Sequence, residues 1–270
     1  MPRQADHEDR NFDELAARFA RNIYGGLKGR VRLAVLNRDF GDYLPIAPYR
    51  PMTPEGALDI LDAGGGQGQF SLPLARAGHR LTLCDISAAM LAVAQEECAA
   101  QGLAVNFRHS PVQSLPSELS YDVILCHALL EWVTEPWQLL EGLLRHLRPG
   151  GHLSLIFYNW HALVYKNLLR THYKALEADT HSAFRGSLTP INPLRPEQLL
   201  EQLQNWGLEV LCHSGIRVFH DYILDPQARK RDPETLLALE LNYSRQEPYR
   251  GLGRYVHLLV RKPESASTDV

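Results

Sequence analysis

Two aspartates, Asp62 and Asp85, flank a glycine cluster in a pattern suited to holding a cofactor. The run Asp62-Ala63-Gly64-Gly65-Gly66-Gln67-Gly68 follows the apolar stretch Ala57 to Leu61. An apolar run of strand length that ends in an acidic residue and then glycines reads as a βα turn. There the backbone bends sharply and lies close to a ligand, which only glycine does without a Cβ clash. Further along, Leu81-Thr82-Leu83-Cys84 is a second strand ending in Asp85, with Ile86 behind it. A carboxylate about twenty residues after the turn takes both hydroxyls of a ribose. Two strands, two carboxylates and a glycine turn argue for an adenosine-containing cofactor.

A dinucleotide site wants G-x-G-x-x-G, with a pyrophosphate resting on the helix N-terminus. Gly64 and Gly66 fill its first two places, but the third is Gln69. The pattern present, D-x-G-x-G-x-G, resembles motif I of the class I S-adenosyl-L-methionine methyltransferases. That cofactor has no pyrophosphate; it presents a methionine ammonium, which Asp62 suits. The resemblance makes Asp62, Gly64, Gly65, Gly66, Asp85 and Ile86 cofactor-binding residues. It extends to the loop Ser110-Pro111-Val112-Gln113-Ser114-Leu115-Pro116, where Val112 and Gln113 would edge the adenine. Tyr121-Asp122-Val123-Ile124-Leu125-Cys126-His127 is a buried strand whose end faces the cofactor, because ligands sit at strand C-termini in such sheets. His127 there could line the pocket, act as a base or cap the next helix; pocket lining is the preferred reading.

With 270 residues and 45% hydrophobic content, the chain can bury one large α/β core plus an appendage. It has no apolar run near the eighteen residues of a membrane span, and Met1 to Arg10 is charged, so neither a span nor a signal peptide is expected. The cysteines Cys84, Cys98, Cys126 and Cys212 lack C-x-x-C spacing, which fits reduced thiols in a cytoplasmic protein. The histidines are scattered without ligand spacing, so no metal is expected. The formal net charge is −3, yet residues 57–150 alone carry five basic and ten acidic side chains. Arg10 to Arg32 holds six basic residues against Asp13 and Glu14. Positive charge has moved to the flanks, compatible with a local phosphate-binding face or with solvated helix faces.

The N-terminal stretch reads as two helices, one capped by Asp13 and one over 29–40, then a proline-rich linker from Pro45 to Pro54. Strands are expected at 57–62, 81–85, 104–109, 121–126 and 152–158, alternating with helices at 68–77, 88–101, 136–147 and 160–176. Such alternation implies a doubly wound, mostly parallel sheet. A helix at 196–206 and strands Glu209 to Cys212 and Tyr255 to Val260 complete it. The resulting organisation is a helical cap and linker over 1–56, a cofactor domain over 57–262 with an excursion near 177–195, and a disordered tail over 263–270.

Several polar-aromatic clusters have no obvious core purpose. They are Arg21-Asn22-Ile23-Tyr24-Gly25, Phe157-Tyr158-Asn159, Arg217-Val218-Phe219-His220-Asp221-Tyr222, Arg245-Gln246-Glu247-Pro248-Tyr249 and Gly253-Arg254-Tyr255. With the glycine turn and the stretch His127-Ala128-Leu129-Leu130-Glu131-Trp132, they closely resemble the bacterial tRNA 5-carboxymethoxyuridine methyltransferases. The resemblance runs from about Asp9 to Pro263; it departs at the longer N-terminal extension and at Gln67, where an acidic residue is expected. It implies a seven-stranded Rossmann-like sheet with an antiparallel last strand, and S-adenosyl-L-methionine as methyl donor. The acceptor it implies is the carboxylate of a modified wobble uridine in a tRNA anticodon stem-loop. By the same resemblance Arg32 holds the methionine carboxylate, while Tyr24, Arg217, Tyr222 and Arg245 are candidates for the uridine and its carboxylate. Each of these arginines could instead form an ion pair with Asp221 or Glu247. Two rival readings remain at this level: methylation of a small carboxylic acid or phenol, and a non-catalytic module that binds the cofactor or RNA.

Overall fold

The computed structural model describes residues 26–44, 56–177 and 190–264, together with Asp9 and Asp13. Tyr24, the expected first helix beyond Asp13, the proline-rich linker, most of the excursion and the tail after Glu264 lie outside the described residues. Seven strands form one sheet: β1 (Asp59–Ala63), β2 (Arg80–Asp85), β3 (Asn106–His109), β4 (Tyr121–His127), β5 (Leu147–Tyr158), β6 (Glu209–Ile216) and β7 (Tyr255–Arg261). Their order is β3-β2-β1-β4-β5-β7-β6. The first five pair in parallel, and β7 runs antiparallel to both β5 and β6. This is the doubly wound, mostly parallel sheet expected from the alternation of elements. The order reverses between β1 and β4, which opens a crevice at their C-terminal ends.

Because successive side chains point to opposite faces, each central strand feeds two cores. Leu61, Ile124, Leu155 and Leu258 face one side, under Leu140 and Leu143 of α4 (Pro136–Arg145) and Leu199 and Leu203 of α7 (Pro196–Asn205). Ile60, Leu125, Ile156 and Leu259 face the other, under Val35, Leu36 and Phe40 of α1 (Leu27–Tyr43) and Leu74 of α2 (Ser71–Arg76). Near-continuous apolar strands, rather than alternating ones, are what burial on both faces demands.

Several boundaries differ from the sequence reading for local reasons. The helix after the glycine turn begins at Ser71, because Gly68 still sits at φ +69 and belongs to the turn. Pro149-Gly150-Gly151, expected as a turn before the fifth strand, lies inside β5 as a bulge opposite Tyr121 to Val123, with Gly150 at φ +74. The helix expected over 160–176 breaks into α5 (Trp160–Leu169) and α6 (Tyr173–Glu177), where Thr171 adopts φ +56. α3 (Ala88–Gln101) matches its expected span, capped by Ser87 and ended by Gly102 in the left-handed region. Two helices had not been anticipated: α8 (Ala228–Arg231) and α9 (Pro233–Tyr243). The second carried a readable start, Asp232 accepting from the Thr235 amide with proline at the first turn.

α9 contributes Glu240, whose buried carboxylate accepts hydrogen bonds from the amides of Val218, Phe219 and His220 at 2.6, 3.0 and 2.6 Å. It fixes the loop that leaves β6. A second constraint comes from glycine pairing. A Cβ on Gly215 would sit 2.6 Å from the Arg250 carbonyl, and one on Gly253 would sit 2.6 Å from the Gly215 Cα. The chain entering β7 can cross the end of β6 only because both are glycine. Replacing Glu240 with Ala strands three buried amides, so urea unfolding should show a loss of about 2–4 kcal/mol. Glu240→Gln keeps an acceptor and should lose less; equal stability of all three proteins would contradict this account of the loop.

Candidate active site

The glycine turn is held by its neighbours before any ligand arrives. The amides of Gly64 and Gly65 both donate to the Cys84 carbonyl, at 2.8 and 3.2 Å, and the Gly66 amide donates to Asp85 Oδ2 at 2.8 Å. Gly64 and Gly66 take φ +67 and +55, the left-handed region in which a Cβ is strained. Gly65 is needed for another reason: a Cβ there would lie 2.5 Å from Asp62 Cγ. The second oxygen of Asp85 accepts from the Ser87 amide at 2.8 Å, so the carboxylate is aimed by both the turn and the start of α3.

These elements wall one cleft at the C-terminal ends of β1, β2 and β4. Arg32, Asp62, Gly64, Gly65, Gly66, Asp85, Ile86, Val112, Gln113 and His127 all line it. All ten residues that sequence reasoning singled out for the cofactor are therefore brought together. Gln67 lines it as well, accepting from Gln69 Nε2 at 2.9 Å. Sequence reasoning missed Asp9, whose carboxylate accepts from the Thr134 amide and hydroxyl at 3.0 Å each and from Gln113 Nε2 at 3.3 Å. It also missed the apolar and aromatic wall of Phe70, Leu129, Trp132 and Tyr255. Asp13 accepts from Ser87 Oγ and the Ala89 amide at the start of α3, while the helix it was expected to cap lies outside the described residues.

Burial sets the charges. Asp62 is raised to about 7 by desolvation and by the nearby Asp85, against a 2.5 Å hydrogen bond from Ser71 Oγ. Asp85 is also raised, mainly by burial, and held back by amides of Ser87, Gly66 and Ile86. Glu131, fully buried, is raised to about 7 by desolvation, eased by its own amide, by Arg32 and by the Tyr158 amide. Asp62 and Asp85, which line the cleft, favour a cationic guest, whose arrival would draw both toward the ionised form. Arg32 lies over the Tyr255 ring at 4.6 Å and supplies the cleft's cationic corner.

His127 belongs to a buried hydrogen-bonded chain. Its Nε2 lies 2.8 Å from Ser154 Oγ, which lies 3.0 Å from His257 Nε2, and His257 Nδ1 donates to Asp39 Oδ2 at 2.8 Å. Asp39 is held well below the usual carboxylate range by His257 and Arg38 despite its burial. An ionised carboxylate only accepts, so His257 Nδ1 carries the proton it gives to Asp39, and the Ser154 hydroxyl bridges the two imidazoles. Burial, first, and then His257 and Arg32 push His127 well below its ordinary value, which keeps the ring neutral.

The acceptor candidates do not share one place. Arg245 is not in the cleft: it donates to Asp39 at 2.6 Å and to Asp42 at 2.7 Å, because the buried Asp39 needs neutralising where it lies. The Glu247 considered as its partner pairs with Arg250 instead. Arg217 pairs with Asp221 at 3.3 Å and sits 5.2 Å from the Tyr255 ring, at the edge of the cleft, with its backbone at φ +62. The Tyr222 hydroxyl donates to the Leu252 carbonyl at 2.5 Å. Among the described residues, one trio could in principle hold a metal, Asp39, Cys212 and His257. The oxygens of Asp39 are already taken by Arg38, Arg245 and His257.

Comparison with known proteins fits this geometry. Residues 61–155 match the family model described as a methyltransferase domain. The tRNA 5-carboxymethoxyuridine methyltransferase of Escherichia coli (strain K12) is 42% identical over 262 residues, covering 96% of this chain and 98% of that one. The chain belongs to that family. It is accordingly an S-adenosyl-L-methionine-dependent methyltransferase. A ubiquinone biosynthesis O-methyltransferase of Coxiella burnetii (strain RSA 493 / Nine Mile phase I) is 29% identical over 161 residues, 58% of this chain and 66% of its own. The magnesium protoporphyrin IX methyltransferase of Synechocystis PCC 6803, solved with S-adenosylhomocysteine, shares the fold. It has a TM-score of 0.58 and 17% identity, over 93% of this chain and 96% of that one. The cradle suits the family's cofactor: an acidic donor set, and a left-handed Gly66 where a Cβ would meet only Asp85 Oδ2, at 3.9 Å. No helix among the described residues is long and apolar enough to cross a membrane.

Ser154 is the link whose removal tests the chain behind His127. Ser154→Ala leaves two buried imidazole nitrogens without a partner, so chemical denaturation should register a loss of about 1–3 kcal/mol. A variant as stable as the parent would mean that the chain is not formed.

Proposed function

We propose that this chain transfers a methyl group from S-adenosyl-L-methionine to the side-chain carboxylate of 5-carboxymethoxyuridine at the wobble position of tRNA. The product is the methyl ester, and the setting is the bacterial cytoplasm. The observation that carries the reading is identity of 42% across 96% of the chain with the E. coli enzyme of that name. The match extends well beyond the cofactor turn, into the segments that surround the cleft.

In this reading each residue takes the role that its chemistry suits. Asp62 meets the methionine ammonium, Asp85 the ribose hydroxyls, and Arg32 the methionine carboxylate, while Val112 and Gln113 border the adenine. When bound, the cofactor supplies a methyl group activated by its sulfonium. The protein needs no dedicated base for the acceptor, because a carboxylate with a pKa near 4 is already ionised at neutral pH. His127, half-buried and neutral, lines the site. What remains for the residues is placement of the carboxylate oxygen in line with the methyl, and exclusion of water by the wall of Phe70, Leu129, Trp132 and Tyr255.

Two measurements test this reading. Methyl label from S-adenosylmethionine should appear in tRNA and be released by mild alkali as methanol, as an ester requires. Alkali-stable label, or label on a small metabolite, would overturn the assignment. The role of Asp62 has its own signature. Its pKa of about 7 must fall when a cation binds, so protons compete with the cofactor. Affinity is full above that value and weakens about tenfold per pH unit below it. Calorimetry should show this slope in the parent and not in Asp62→Asn; a slope that survives would overturn the role given to Asp62.

A further inference from the structure

S-adenosyl-L-methionine presents its hydrogen-bond donors in three places: the ammonium, the ribose hydroxyls and the 6-amino group of the adenine. Asp62 suits the first and Asp85 the second. The amino group falls at the adenine end of the cleft, where Val112 is buried and Gln113 is exposed at the mouth. One more carboxylate lines the cleft there, and it comes from far away in the sequence: Asp9.

Asp9 bridges the loops that follow β3 and β4. Its Oδ1 accepts from the Thr134 amide and hydroxyl at 3.0 Å each, and its Oδ2 accepts from Gln113 Nε2 at 3.3 Å. Each carboxylate oxygen has about two acceptor positions. Those on Oδ1 are filled, while Oδ2 carries a single long bond and keeps a lone pair. Because a carboxylate only accepts, it also turns the Gln113 amide so that Nε2 faces Asp9 and Oε1 is left over. These side chains therefore offer the rim acceptors, which is what an amino group requires.

A second carboxylate keeps Asp9 in place. Asp13 Oδ1 accepts from Ser87 Oγ at 2.6 Å and from the Ala89 amide at 3.1 Å, in the first turn of α3. That amide is one of those a helix start leaves without an internal partner. Ser87 Oγ meanwhile accepts from the Met90 amide, so its proton is free to go to Asp13. Three residues separate Asp9 from Asp13. Between them they tie the N-terminal part of the chain to the loops after β2, β3 and β4.

We propose that Asp9 is a cofactor-binding residue that reads the 6-amino group of adenine, with Asp13 as its positioning residue. The proposal rests on the adenine lying against Val112 and Gln113, as argued above, and names what selects the base. It also gives a purpose to a cleft carboxylate that stands outside the methyltransferase-domain match at 61–155.

Calorimetry compares S-adenosylhomocysteine with the analogue in which hydrogen replaces the 6-amino group, all else being the same. The parent should prefer the amine by about 10- to 100-fold, the worth of a hydrogen bond to a charged acceptor. Asp9→Ala should cut that preference to about threefold or less by weakening S-adenosylhomocysteine alone. Asp9→Asn keeps an acceptor for Thr134 and should fall between the two; it serves if the alanine variant is unstable. Asp13 also repels Asp85, so its variants are read by the ratio of the two affinities. Asp13→Ala should lower that ratio, and Asp13→Asn, which keeps the oxygen that Ser87 and Ala89 use, should restore it. A preference that survives Asp9→Ala, or equal weakening of both compounds, would mean that Asp9 only fastens the chain, and overturns the proposal. A parent that binds both compounds equally would overturn the adenine placement as well, a result read without any variant. Methyl transfer to tRNA enters none of these measurements, so the acceptor stands or falls separately.

Discussion

Asp39 is an ionised carboxylate with no solvent exposure, and its neutralisation fixes much of the molecule. Its two oxygens bind Arg38 beside it, Arg245 just after α9, and His257 in the middle of β7. Such a charge is tolerable only where cations and hydrogen bonds replace its lost hydration. Meeting that demand clamps α1 against the antiparallel end of the sheet. Arg32 lies two turns earlier on the same helix, so the clamp also delivers a guanidinium into the cleft. Through His257 and Ser154 the same carboxylate fixes the ring of His127 on the cleft wall. One buried ion-pair network therefore connects the scaffold to the site.

The site itself is divided by charge. Asp62, Asp85 and Glu131 stand at the ends of β1 and β2 and after β4, while Arg217, Arg254 and Lys166 stand beyond β5, β6 and β7. Tyr255 and Arg32 mark the boundary. A methyltransferase with a cationic donor and an anionic acceptor benefits from such zoning, since each partner is attracted to its own wall. The segregation in the sequence, with negative charge concentrated over 57–150 and positive charge in the flanks, is the one-dimensional trace of this division.

The cofactor half was legible because its contacts are local. The turn from Asp62 to Gly68 and the carboxylate of Asp85 sit on adjacent strands, and strand-end geometry places them together without knowledge of the rest. The loop from Ser110 to Gln113 follows the same rule one strand further out. Arg245 was not legible, since its partner Asp39 lies 206 residues earlier and only folding joins them. Nothing local distinguishes Arg245 from Arg217, yet one neutralises the scaffold and the other borders the cleft. Tyr158 and Arg254 stood within noted clusters, but their donors left unpaired among the described residues, the phenol hydroxyl and Nη1, appear only once β5 and β7 pair. Pro149-Gly150-Gly151 misled because a bulge and a turn use the same residues. The start of α9 at Asp232-Pro233 was readable and was passed over.

Mass spectrometry of nucleosides tests the central claim most directly. The substrate is tRNA carrying 5-carboxymethoxyuridine, incubated with the protein and S-adenosyl-L-methionine and then digested. The account predicts that the 5-carboxymethoxyuridine peak is replaced by a nucleoside heavier by one methylene, which mild alkali returns to the starting mass. An unchanged nucleoside profile, or a methylated nucleoside that alkali leaves intact, would contradict it.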